Sequence, residues 1–139
     1  MSSAKRSRPA AKARVVGPRV LDSSCWLEFF ADTDRADLFA DAIEAVDSLV
    51  IPVVTIYEVV KKLWREAGEE TAAAALSLMQ RGRIVDVDVA LALSAAGNGL
   101  PLADSLIYAS ARLNGAVLWT QDAHFDGLDG VSYFAKPSP

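Results

Sequence analysis

Nitrogen and sulfur metal ligands are almost missing from this 139-residue chain, which has one cysteine, Cys25, and one histidine, His124. One cysteine cannot form a disulfide within the chain and is too few for a cysteine-based zinc site. One histidine excludes multi-histidine metal centres as well. Any bound metal must be held mainly by carboxylates, which favours a hard cation such as Mg2+ or Mn2+. A lone thiol fits a reducing compartment, so a cytoplasmic location is expected. The chain also lacks an apolar run near the roughly 18 residues that span a bilayer. No hydrophobic segment follows the basic N-terminus, so neither a signal peptide nor membrane attachment is expected.

The composition is that of one globular domain, with 52% hydrophobic and 23% charged residues. The net charge is −4, but it is unevenly spread. Residues 1–19 hold Lys5, Arg6, Arg8, Lys12, Arg14 and Arg19, and no acid. The remaining 120 residues carry 8 Lys or Arg against 18 Asp or Glu. Such an acidic body repels nucleic acid unless cations intervene or its basic groups cluster. Residues 1–18 show no periodicity and read as a flexible basic tail, either an incidental leader or an RNA-contacting arm.

Beyond the tail, short apolar strands alternate with helices. Strands are predicted at 19–21, 49–51, 83–87, 116–120 and 131–134. Helices are predicted at 23–30, 34–46, 55–67, 69–80, 89–96 and 101–113. Ile56, Val59, Val60 and Leu63 give the third helix a stripe at i, i+3, i+4, i+7, with Gly68 at its end. Gly82 stops the Ala-rich fourth helix. Residues 136–139 form a loose end. Strands of this kind, covered on both faces, imply a three-layer α/β/α domain over 19–135, with a central, mainly parallel five-stranded sheet.

Ligands of open α/β sheets bind beyond the carboxyl ends of the strands. Asp22 directly follows the first strand, Glu58 starts the helix after the second, and Asp122 follows the fourth. Each has a structural alternative. Asp22 suits a helix N-cap. Thr55 and Glu58 match the capping-box pattern Thr-x-x-Glu. Asp122 and Asp126 suit turns. Asp104 sits on a helix that is apolar nearly all round, so it is expected to be buried between two packed sides, where a carboxylate needs a partner or a metal. His124 reads as a surface or turn residue, and Cys25 as core. Trp26, Trp64 and Trp119 read as packing residues, with Trp64 also suited to an interface. Lys61, Lys62 and Arg65 form a solvated face of the Glu58 helix that can also reach phosphates.

Three segments taken in order resemble PIN-domain ribonucleases. VLDSS (20–24) is similar to the opening motif of that family, and TIYEVVKKL (55–63) to its Glu-centred second motif. LPLADSLIYASARLNGAVLWTQDAHFDGL (100–128) is similar to the third and fourth motifs together, with Asp104, Gly115, Thr120, Asp122 and Phe125 in the family's order. Single-domain chains of this size most resemble the VapC toxins of VapBC toxin–antitoxin pairs. The resemblance implies a metal-dependent endoribonuclease in which Asp22, Glu58, Asp104 and Asp122 gather around Mg2+ or Mn2+. It also implies that Thr120 supports the site, with Ser23 a second hydroxyl and Asp126 an outer acid. RNA is the implied substrate, and cleavage would leave a 5′-phosphate and a 3′-hydroxyl. The implied partners are a VapB-type antitoxin and a second copy of the chain, with apolar surface around Trp26 to Leu38 and near Trp64 serving those contacts. The tail departs from the pattern, because such toxins start almost at the first strand.

Other classes fit less well. A haloacid dehalogenase-type phosphotransferase needs a second Asp two residues after the first, where this chain has Ser24. A receiver module needs an acidic pair near the first strand. A PIN nuclease outside toxin–antitoxin pairs, or a catalytically silent PIN interaction module, remains as the alternative; the silent module is expected to have lost acidic residues.

Overall fold

Adjacent residues within each short strand send their side chains to opposite faces of the sheet, and this divides the core in two. A computed structural model describes residues 17–138. The strands are β1 (Arg19–Leu21), β2 (Val50–Pro52), β3 (Arg83–Val85), β4 (Val117–Thr120) and β5 (Val131–Tyr133). The helices are α1 (Ser23–Ala31), α2 (Ala36–Glu44), α3 (Val53–Ala67), α4 (Glu69–Met79), α5 (Val89–Ala96) and α6 (Leu102–Leu113). Two 3-10 turns, Val46–Ser48 and Ala123–Phe125, complete the order.

Leu21, Ile51 and Trp119 face the layer of α1 to α4, where Cys25, Trp26, Phe39, Ile43, Val59 and Met79 fill the larger core. Val20, Val50 and Leu118 face the other way, against Ile107 and Ala111 of α6 and Phe125. Leu91 and Ala95 of α5 then pack on Ala109 of α6. The result is three α/β/α layers. All strand pairs are parallel: β1 with β4, β4 with β5, and β2 with β3. A single parallel bridge, Arg19 to Leu49, joins the two sheets. The strand order is therefore β3-β2-β1-β4-β5, and it reverses direction between β1 and β4.

Several expectations need correction. The capping box does not form. Helix α3 starts at Val53 directly after Pro52, whose extended φ and ψ (−66°, 138°) turn the strand into the helix with no side-chain cap. Thr55 is consequently buried in the first turn, and Glu58 stands one turn further in. Trp26 is fully buried and offers no surface, whereas Leu38 and Trp64 are exposed. Helix α6 is packed on two sides as expected, Ile107 and Ala111 against the sheet and Ala109 against α5, but its ends are open, with Leu102 79% exposed and Leu113 exposed too. Its buried hydroxyls, Ser105 and Ser110, donate to the carbonyls of Leu102 and Leu106.

Gly82 does more than stop α4. A Cβ there would lie 2.6 Å from Ile51 Cγ1, so only glycine lets the chain pass this close to β2. The predicted basic tail lies outside the described residues except for Gly17 and Pro18, and the Pro18 carbonyl already accepts from Val117. Residues 136–138 lack regular structure, and Pro139 lies outside the described residues. Among the described residues, no helix is long and apolar enough to cross a membrane.

Candidate active site

In a parallel sheet, the point where strand order reverses leaves a crevice beyond the strand carboxyl ends. Here that point lies between β1 and β4, and both strands end in an aspartate segment. Asp22 is the residue after β1. It is buried, and its amide donates to the Trp119 carbonyl across the gap. Its Oδ1 accepts the Ser24 amide and caps α1, while its Oδ2 accepts the Thr120 hydroxyl. The capping role and a place in the site thus coexist in one carboxylate. Burial raises the Asp22 pKa. The Thr120 and Ser24 hydrogen bonds oppose that rise, and the Asp122 charge adds to it.

The buried Thr120 Oγ1 also accepts the Asp122 amide at 2.9 Å. Asp122 caps the following 3-10 turn through Oδ1, which accepts the His124 amide at 2.9 Å. That turn brings His124 back over the cluster. Its Nδ1 lies 2.8 Å from Asp104 Oδ2 and 3.5 Å from Asp122 Oδ1. The Asp104 hydrogen bond, aided by the Asp122 charge, raises the His124 pKa. One ligand atom from each of Asp104, Asp122 and His124 lies within 4.8 Å of the others. Asp104 is partly rather than fully buried, because the first turn of α6 opens onto this crevice.

Glu58 is half-buried on α3. Burial raises its pKa, a hydrogen bond from Ser23 opposes this, and the charges of Asp22, Asp104 and Asp122 push it further up. The four carboxylates predicted from sequence therefore share one electrostatic neighbourhood, with Ser23 and Thr120 bonded into it. Asp126 is not part of it. It is exposed beyond Phe125, and its side chain makes no hydrogen bond or ion pair with the cluster.

Two features went unread in the sequence. His124 reaches the carboxylates, although it is the exposed turn residue that was expected. A second set of polar groups holds the β4 end from below. Buried Gln121, between Thr120 and Asp122, donates to Glu28 Oε2 at 2.9 Å and accepts from Arg35 Nε. Arg35 also donates to the carbonyls of Phe134 (3.0 Å) and Ala135 (3.3 Å), and Thr33 donates to Glu28 at 2.6 Å. Burial pushes the Glu28 pKa up. Its bonds from Thr33 and Gln121, with Lys136 and Arg35 nearby, more than reverse this and leave it lowered.

Four negative charges gathered around partly desolvated oxygens repel one another, and a divalent cation offsets that cost. The three converging ligand atoms and the upward pressure on Glu58 both fit such a cation. Beside the site, α3 and α4 enclose an apolar groove of about 480 Å³, lined by residues that include Ile56, Val60, Trp64 and Leu76.

A family model described as PIN domain matches residues 19–131. No curated protein matches the chain by sequence. Among solved structures, the fold is similar to a toxin–antitoxin complex from Klebsiella pneumoniae (TM-score 0.70, 22% identity, covering 85% of this chain and 99% of that one). It is also similar to a DNA-bound VapBC from Salmonella typhimurium (TM-score 0.63, 16% identity, covering 86% and 98%). A third likeness is to VapC20 of Mycobacterium tuberculosis, a sarcin–ricin loop cleaving toxin (TM-score 0.64, 20% identity, covering 81% and 95%).

Proposed function

The chain belongs to the PIN-domain family, and from that premise we propose that it is a metal-dependent endoribonuclease acting as the toxin of a toxin–antitoxin pair. The observation that carries this reading is the convergence of Asp104, Asp122 and His124 beyond the carboxyl ends of β1 and β4, with Asp22 and Glu58 beside them. The solved structures of similar fold support the toxin part, being toxin–antitoxin proteins themselves.

Asp22, Asp104 and Asp122 would hold Mg2+ or Mn2+, directly or through water, with Glu58 close by. Such an ion supplies charge stabilisation at phosphate oxygens and a lowered pKa for a bound water. Thr120 fixes the Asp22 carboxylate and the Asp122 backbone in one arrangement. Glu58, with its raised pKa and Ser23 bond, is suited to orient the attacking water and hold its proton. His124 restrains Asp104 and supplies a positive charge when protonated. The expected products are a 5′-phosphate and a 3′-hydroxyl. An antitoxin would cover the apolar groove at Trp64, and the chain is expected to pair with a second copy.

The test is cleavage of a total small-RNA pool with Mg2+, with Mn2+ and with EDTA, beside the Asp104→Asn variant. Metal-dependent cuts that vanish in the variant are expected. Cleavage in EDTA, or full activity in the variant, would overturn the reading.

A further inference from the structure

We infer that helix α3 carries the track along which a single-stranded RNA backbone approaches Glu58. The inference rests on the nuclease reading and deepens it by naming the surface and the form of the substrate.

Positive charge is concentrated on one helix. Beyond Arg19 the chain has 8 basic residues against 18 acidic ones. Of those eight, Lys61, Lys62 and Arg65 lie within five positions of one helix. They follow Glu58 at i+3, i+4 and i+7, so all three continue the stripe that Glu58 begins. At 1.5 Å per residue, Arg65 stands about 10 Å along the axis from Glu58. The same residues, with Ser23 and Tyr57, line a groove of about 330 Å³ that opens at Glu58 itself.

Three of the other five basic residues are differently committed, and the remaining two, Arg81 and Arg112, stand singly in the turn after α4 and on α6. Arg35 is hydrogen-bonded to Gln121 and to two backbone carbonyls, Lys136 lies near Glu28, and Arg83 donates to Asn114. On α3, only Glu66 offsets the stripe. Lys62 and Arg65 approach it at 3.5 and 3.9 Å, in exposed pairs that hold little energy and exchange readily for phosphate. Lys61 Nζ lies 3.1 Å from the Tyr57 hydroxyl and 5.3 Å from its ring centroid. Tyr57 is 61% exposed, so an aromatic side chain stands beside the basic stripe rather than in the core.

A polyanion faces repulsion over most of this acidic body. The α3 stripe leads it to the carboxylates along a row of cations, and Tyr57 offers a stacking surface for an unpaired base. A duplex keeps its bases stacked internally and gains nothing from that ring.

The experiment measures binding of a short 5′-labelled oligouridine across a salt series, in the Asp104→Asn background so that the probe survives. The comparison adds Lys61→Gln, Lys62→Gln and Arg65→Gln together, with circular dichroism to verify folding. Losing three phosphate contacts on a single strand should flatten the slope of log K against log salt by about two. A duplex RNA probe should bind more weakly than the single strand, and Tyr57→Ala should narrow that difference. An unchanged salt slope in the triple variant overturns the track, and equal binding of duplex and single strand overturns the choice of form. With Asp104 restored, active protein whose triple variant cleaves at unchanged KM would sink this inference alone. Absence of metal-dependent cleavage in the unsubstituted protein would sink the nuclease reading instead.

Discussion

The Thr120 hydroxyl donates to Asp22 Oδ2, joining the carboxyl ends of β1 and β4 across the point where strand order reverses. The same oxygen accepts the Asp122 amide, so one buried hydroxyl sets both a side chain and a stretch of backbone. The bond spans 98 residues of sequence and ties the two aspartate segments together.

Replacing Thr120 with Val keeps the shape but strips a donor from a buried carboxylate and an acceptor from an amide. Urea unfolding should show a loss of about 1–3 kcal/mol. Cleavage should fall by roughly 10–100-fold, the range seen when groups that orient metal ligands are removed. Thr120→Ser should retain most of both. Equal behaviour of the Ser and Val variants would count against the hydroxyl.

Asp22→Asn separates stability from activity. Burial holds the Asp22 pKa up, so its ionised form weakens the folded state as pH rises above the unfolded-chain value. Asn still caps α1 but carries no charge. In EDTA the variant should melt no lower than the parent, and its relative advantage should grow with pH. Its cleavage should be undetectable. A large drop in melting temperature would mean that the charge itself supports the fold.

Divalent cations should stabilise the protein, since a ligand bound only by the folded state adds RT ln(1 + [L]/Kd), or about 2.7 kcal/mol at a hundred times Kd. The gain should be smaller near pH 5 than near pH 8. His124, with its raised pKa, and the carboxylates compete for protons on the acid side. Differential scanning fluorimetry with Mg2+ and Mn2+ at both pH values is the measurement. A melting temperature indifferent to either ion would argue against a metal centre.

Glu28 should govern part of the acid limb of stability. Its folded pKa lies below the ordinary 4.5, so its contribution is present above that value and disappears as pH falls through the folded value. Glu28→Gln should destabilise the protein at neutral pH and flatten the fall in stability below about pH 4.5. Denaturant midpoints across pH would reveal it. Cleavage should fall as well, because Gln121 loses the acceptor that anchors the segment bearing Asp122.

Fold and site were unequally legible in the sequence. The short strands could be read because residues such as Val20-Leu21 and Val50-Ile51 are apolar on both sides, as a covered parallel sheet demands. The Thr55-x-x-Glu58 pattern misled because capping boxes describe a helix that follows a loop, and here Pro52 joins strand to helix directly. The near all-round hydrophobicity of α6 pointed to Asp104, which is partly buried as the helix packs between the sheet and α5, and stays open only where the first turn meets the crevice beside an exposed Leu102. The Glu28–Gln121–Arg35 set had no readable signal. Its members are 86 and 93 residues apart, and each is an ordinary surface residue by type. His124 was missed for a similar reason, because only the cap made by Asp122 turns it back towards Asp104.

The buried Cys25 thiol faces the Trp119 carbonyl at 3.4 Å, in the core beneath the site, and burial raises its pKa well above the ordinary value. As the chain's single thiol, it is a built-in clock for local opening. A thiol reagent can reach this buried group only when the core around α1 opens, so the labelling rate reports how readily the layer carrying the Asp22 cap opens. Slower labelling in the presence of Mg2+ or RNA would report tightening of that layer without any engineered probe.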